Sequence, residues 1–143
     1  MALAWSKDWL GGVSVACKED PLFQEVAAVL NRSFTVIVRA EPDKGIDEDI
    51  WFGFHAPTME KAFSGEEDVW ETDYSLEGSY TEWHAVNEGL KGLVASLLGG
   101  SIALKRGSTS YLSMFVPAIE RFFQLSREKT TEYLGEFQCV GAR

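Results

Sequence analysis

The chain has 143 residues, 45% of them hydrophobic and 24% charged, with nine Phe and five Trp. That length suits a single domain, 1–143, with a sizeable core, and the absence of any run of eighteen apolar residues excludes a transmembrane span. A formal net charge of −9 argues against nucleic acid as a partner, since phosphates require a basic face.

The charge is uneven. Residues 41–90 carry a balance of −12 and residues 91–143 a balance of +3. An acidic middle of this kind is read as solvated sheet edge and loops. The N-terminus lacks a basic n-region, and Ser14-Val15-Ala16-Cys17 only loosely resembles a lipoprotein cleavage box. The expectation is a cytoplasmic, unprocessed protein. Two cysteines, Cys17 and Cys139, are too few for a disulfide framework and neither has metal-ligand spacing.

In chain order, Ser6–Lys18 and Asp20–Asn31 read as helices. Ser6 caps the first, and Asp20-Pro21 opens the second with an N-cap followed by proline. Ser33–Ala40 is β-branched, with Phe34, Val36 and Val38 alternating against Thr35, Ile37 and Arg39. Glu41–Gly45 is turn chemistry. Asp49–His55 places Ile50, Phe52 and Phe54 on one side. Pro57–Phe63 reads as a loop or helical turn and Ser64–Glu67 as a turn. Val69–Gly78 then alternates Trp70, Thr72, Tyr74 and Leu76 against acidic and polar residues. These three strands predict a meander with one apolar face. A helix from Tyr80, an apolar helix Leu90–Leu98 and a strand Ser101–Arg106 follow. Tyr111–Leu125 reads as a helix kinked at Pro117, and a short helix is expected around Thr130–Leu134. Strands grouped apart from helices predict an α+β fold, a mostly antiparallel sheet with helices on one face.

Reactive constellations are missing. His55 and His84 have no Cys, Asp or second His at ligand spacing, so neither a metal nor a cofactor is expected. Gly99-Gly100-Ser101 does not form a nucleophile elbow, and the glycines fit no phosphate-binding loop. Carboxylates such as Asp47 and Asp49 fall on loops or exposed strand faces. The chain is therefore not expected to be an enzyme. What stands out is apolar excess: a sheet face with Phe34, Phe52, Phe54, Trp70 and Tyr74, opposite helices with Trp83, Val86, Leu93, Leu97, Phe115, Phe122 and Phe123. Such surfaces either close into core or leave a tunnel for an apolar ligand.

Leu76-Glu77-Gly78-Ser79-Tyr80, followed by Trp83, Val86, Gly89, the apolar helix Leu93–Leu98, Gly100, the strand Ser101–Arg106 and Gly107, resembles the signature region of the sterol carrier protein type two (lipid-transfer) family. The N-terminal piece from Asp8-Trp9-Leu10 to Asn31 resembles bacterial and archaeal members. The resemblance covers about residues 6–125. It implies a five-stranded, partly antiparallel sheet, helices over one face, and a hydrophobic tunnel between them that holds a fatty acid, acyl-CoA, sterol or similar lipid. The C-terminal Val140-Gly141-Ala142-Arg143 departs from the peroxisomal tripeptide of eukaryotic members.

On this resemblance the ligand-lining residues are expected to be Phe52, Phe54, Trp70, Tyr74, Trp83, Val86, Leu93, Leu97, Ile102, Leu112, Phe115, Ile119 and Phe122. An apolar tunnel needs in addition only one polar anchor at its mouth, for which Arg106, Lys105 and Thr109 are the candidates, against the alternative of a solvated strand end. The alternative is an interaction protein in which aromatics fill the tunnel and helix 111–125 forms a homodimer or partner interface.

Overall fold

In the computed structural model, which describes residues 3–59, 63–64, 72–108, 110 and 113–137, the first helix begins where its cap predicts. Ser6 Oγ accepts from the Trp9 amide at 3.2 Å and starts α1, Lys7–Glu19. The apolar stripe of α1 buries Trp9, Leu10, Val13 and Cys17. Asp20 ends α1 and caps α2, Pro21–Ala27, its Oδ2 accepting from Phe23 N at 2.7 Å. The second helix is shorter than the pattern Asp20–Asn31 suggests. Residues 28–30 form a turn, and Asn31 takes φ 39°, a conformation Asn tolerates better than most residues, so the chain can reverse into the sheet.

Five strands form one sheet: β1 (Arg32–Arg39), β2 (Ile50–Ala56), β3 (Phe63–Ser64), β4 (Tyr74–Ser79) and β5 (Ile102–Arg106), in the order β3-β2-β1-β4-β5. Three of the four pairings are antiparallel, and β1 with β4 is parallel. The expected meander is therefore corrected. β1 and β2 form a hairpin, but β4 adds to the other edge of β1, running the same way. Alternation assigns each residue to a face and carries no information about which neighbour a strand takes. A parallel neighbour requires a crossover, supplied by the chain between β2 and β4. Phe63–Ser64, expected in a loop and a turn, pairs with Phe52 and Gly53 at the sheet edge. Val69, Trp70 and Glu71 of the expected third strand lie outside the described residues, and Thr72 and Asp73 precede β4.

The register lines up apolar rows. Phe54, Phe34 and Tyr74 form one row, and Phe52, Val36, Leu76 and Leu104 the next. A third row, Ile50, Val38, Gly78 and Ile102, has its gap at Gly78. A Cβ there would lie 2.9 Å from Ile102 Cγ1 and 3.2 Å from Trp83 Nε1, so the glycine admits the indole onto the sheet. On the opposite face Arg39 bonds Asp49 at 2.7 Å and also Glu77, and its guanidinium lies over Trp51. That face is the polar one.

The apolar face is covered by α1 and α2 together with α3, Tyr80–Asn87, α4, Leu93–Gly99, and α5, Val116–Lys129. Pro117 does not kink a helix. A 3-10 turn, Ser113–Phe115, precedes α5, and Pro117 sits in its first turn, where no intrahelical amide bond is lost. α5 runs on to Lys129, so the chain past Leu125 is helical beyond the reach of the apolar pattern. Thr130–Leu134 is not a helix: Thr130 is extended, and Glu132 bridges to Leu3. Thr130 is taken up instead by a buried polar network. Its Oγ1 accepts from Trp9 Nε1 at 2.8 Å and from Asn87 Nδ2 at 3.1 Å, and donates to Ser126 O at 2.8 Å. Asn87 Nδ2 also donates to Tyr133 Oη, which donates to Glu88. α1, α3 and the end of α5 are joined there.

Candidate functional site

Between the sheet and the helices lies a cavity of about 50 Å³. Its floor is the inward side of the middle strands: Phe34 and Val36 of β1, Phe52, Phe54 and Ala56 of β2, and Leu76 of β4. Strand alternation puts these on one face. Its roof is Phe23 of α2, Leu30 just after it, Leu93 of α4, and Ala118, Ile119, Phe122 and Phe123 of α5. Ala118 and Phe122, like Ile119 and Phe123, are four apart, so the α5 residues form one stripe. Trp83 of α3 completes the lining.

All fourteen lining side chains are apolar or aromatic, and the lone heteroatom among them, Trp83 Nε1, is spent on Ile37 O at 3.0 Å. No group in the wall can act as nucleophile, acid or base. Aromatic stacking supports the walls: Phe34 lies 5.5 Å from Phe54, and Phe54 stacks on Phe122 at 4.7 Å. Ligand pockets commonly measure roughly 300–1,000 Å³. The cavity, at about 50 Å³, lies well below that range.

Of the residues expected to line a ligand tunnel, Phe52, Phe54, Trp83, Leu93, Ile119 and Phe122 border this cavity. Tyr74 stacks on Phe34 at 5.2 Å, and Ile102 is buried beside Gly78. Leu97 packs on the outside of the core, Phe115 is buried just before α5, and Val86 faces a neighbouring recess. Trp70 and Leu112 lie outside the described residues. Phe34 and Phe123 belong to the facing surfaces expected from sequence, though not to the expected lining. Val36 shares the alternation of Phe34, and Leu76 that of Tyr74, and both are legible by it. Phe23, Leu30, Ala56 and Ala118 carry no distinguishing signal, because an apolar stripe does not say which of its members border a void.

Of the expected anchors, neither Arg106 nor Lys105 borders the cavity. Arg106 donates to Thr72 O at 3.1 Å, Lys105 is exposed, and Thr109 lies outside the described residues. Among the described residues, the cations lining the neighbouring recess of about 190 Å³, which shares Leu93, Ile119 and Phe123 with the cavity, are Lys91 and Arg127. Elsewhere, burial pushes the Cys17 thiol up to about 12, an unreactive thiol inside α1; Cys139 lies outside the described residues. His55 bonds Thr58, and His84 packs edge-on against Tyr133. No group of three metal-ligating side chains occurs among the described residues, nor does any helix there have the length and apolarity to cross a membrane.

No family model matches the sequence, and no curated protein matches it. Solved structures do. A crystal structure of sterol carrier protein 2 superposes with a TM-score of 0.77 at 20% identity, covering 87% of this chain and 98% of that one. A protein of Thermus thermophilus, itself only provisionally described as a sterol carrier protein, gives 0.78 at 20% identity over 88% and 89%. The apo form of sterol carrier protein 2 from Yarrowia lipolytica gives 0.55 at 13% identity over 84% and 88%. The chain has the sterol carrier protein fold, as its glycine and aromatic pattern suggests.

Proposed function

We propose that this chain, built on the sterol carrier protein fold, is a lipid-binding carrier that holds an apolar ligand between sheet and helices and performs no catalysis of its own. The observation that carries this reading is the wall itself: fourteen lining residues without a free polar side-chain atom. A fatty acid, an acyl-CoA, a sterol or a comparable lipid suits such a wall. Burying an acyl chain of about sixteen carbons gains roughly 12 kcal/mol gross at about 0.8 kcal/mol per methylene. Association and ordering costs remove several of these, which leaves micromolar or tighter binding.

Loading requires the cavity to widen. α4 is the wall best suited to move. It has seven residues, its N-cap Gly92 offers no side-chain bond, and it packs chiefly against β5. A second reading rests on the small volume: the aromatics fill the space permanently and the protein acts through its surface. Calorimetric titration of delipidated protein with hexadecanoic acid separates the two. One-to-one binding at micromolar or lower concentration is expected; no binding, together with no lipid carried through native mass spectrometry, would leave the filled-cavity reading standing.

A further inference from the structure

The apolar cavity has a polar neighbour. The recess of about 190 Å³ lies between the α3–α4 connection and α5, and Leu93, Ile119 and Phe123 border both spaces. Ile119 and Phe123 are half-buried, so rotation of these two side chains is the smallest movement that joins the two. The recess is also lined by Arg127, Lys91, Glu120 and Gln124.

The two cations differ in what they have left to give. Lys91 Nζ is engaged by Glu82 at 3.2 Å and Ser101 Oγ at 3.0 Å. Arg127 spends Nε on Asn87 O at 2.9 Å, and its two terminal nitrogens have no hydrogen-bond partner among the described residues. Its guanidinium is fixed in place by the backbone beneath it. Gly89 has φ +77°, and a Cβ there would lie 2.5 Å from Arg127 Nη2. A guanidinium held by its Nε with its fork free is prepared for a two-oxygen anion.

We propose that the recess receives the carboxylate of a single-chain lipid acid, paired with Arg127, while the tail passes Leu93, Ile119 and Phe123 into the apolar cavity. This rests on the lipid-carrier reading and adds the ligand's class and orientation. With Glu120 on the same recess and Lys91 held by Glu82, the positive charge suits a singly charged carboxylate better than a phosphate ester.

The test is calorimetric titration of the delipidated full chain with dodecanoic acid, 1-dodecanol and dodecyl phosphate. Wild type binds the acid more tightly than the alcohol. Arg127→Gln weakens the acid by about tenfold, the loss of one charge-assisted pair, and leaves the alcohol unchanged. Glu120→Gln, a change at an exposed position, tightens the acid about two- to threefold and leaves the alcohol unchanged. An acid-to-alcohol ratio equal to wild type in both variants overturns the head-group site while lipid binding stands. Should Arg127→Gln fail to fold, the Glu120→Gln ratio decides alone. Dodecyl phosphate binding more tightly than the acid overturns the carboxylate assignment. If neither the acid nor the alcohol binds wild type, this site is overturned, and the hexadecanoic acid titration with native mass spectrometry decides separately whether the carrier reading falls with it.

Discussion

Thr130 shows how one hydroxyl can join three helices. It accepts from Trp9 and Asn87 and donates to Ser126, all in the buried interior. Thr130→Val keeps the shape and strands two buried donors, each costing about 1–3 kcal/mol, so unfolding free energy should fall by about 2–4 kcal/mol in denaturant titration. A loss below about 0.5 kcal/mol would mean that the donors find other acceptors. Sequence alone misreads this position, because a Thr following a polar stretch looks like the start of a surface helix, and its partners lie 121 and 43 residues away. Gly78 is the opposite case. Its glycine sits within the family-like pattern, and the structure supplies the reason: an indole and an isoleucine occupy the space of its missing side chain.

At the scale of elements, local chemistry is legible and neighbourhood is not. Ser6 and Asp20 announce their helices through capping, which is a matter of a few residues. Pro117 is ambiguous, because the same ring breaks a helix interior and suits a helix start. The partner of β4 is invisible, since alternation is identical for either edge of β1. Asp20 also ties elements together: Arg121 of α5 donates to both its oxygens, from Nε at 2.8 Å and Nη2 at 2.6 Å. That hydrogen bonding, more than the Phe23 amide, holds the carboxyl below its ordinary value of 3.8. The unfolded chain therefore takes up the proton first as pH falls. The stabilisation is complete above about pH 5 and fades as pH falls below 3.8 through the folded-state value. The melting-temperature difference between wild type and Asp20→Asn should follow that course, wide at about pH 7 and narrowing below about pH 4. A difference constant from about pH 7 to about pH 3 would show that the ion pair contributes nothing.

For the whole molecule, the absence of reactive groups in the cavity wall and the excess of aromatics describe one design, an apolar space enclosed on one side of a mixed sheet. The surfaces that face each other across it can be read from periodicity and from the glycine and aromatic pattern. The void between them cannot, since whether facing side chains interlock depends on fractions of an ångström that no residue type encodes. About half of the expected lining therefore lies elsewhere among the described residues or outside them, and the polar recess with Arg127 carries no signal in the sequence. The central claim is that the space between sheet and helices holds the lipid. A crystal structure of the delipidated protein soaked or grown with hexadecanoic acid tests it most directly. The account predicts continuous chain density between Phe34, Phe54 and Phe122, with the cavity widened from about 50 Å³ to at least roughly 300 Å³ and α4 displaced. An unchanged cavity of about 50 Å³ with the fatty acid absent or bound outside it would contradict that claim.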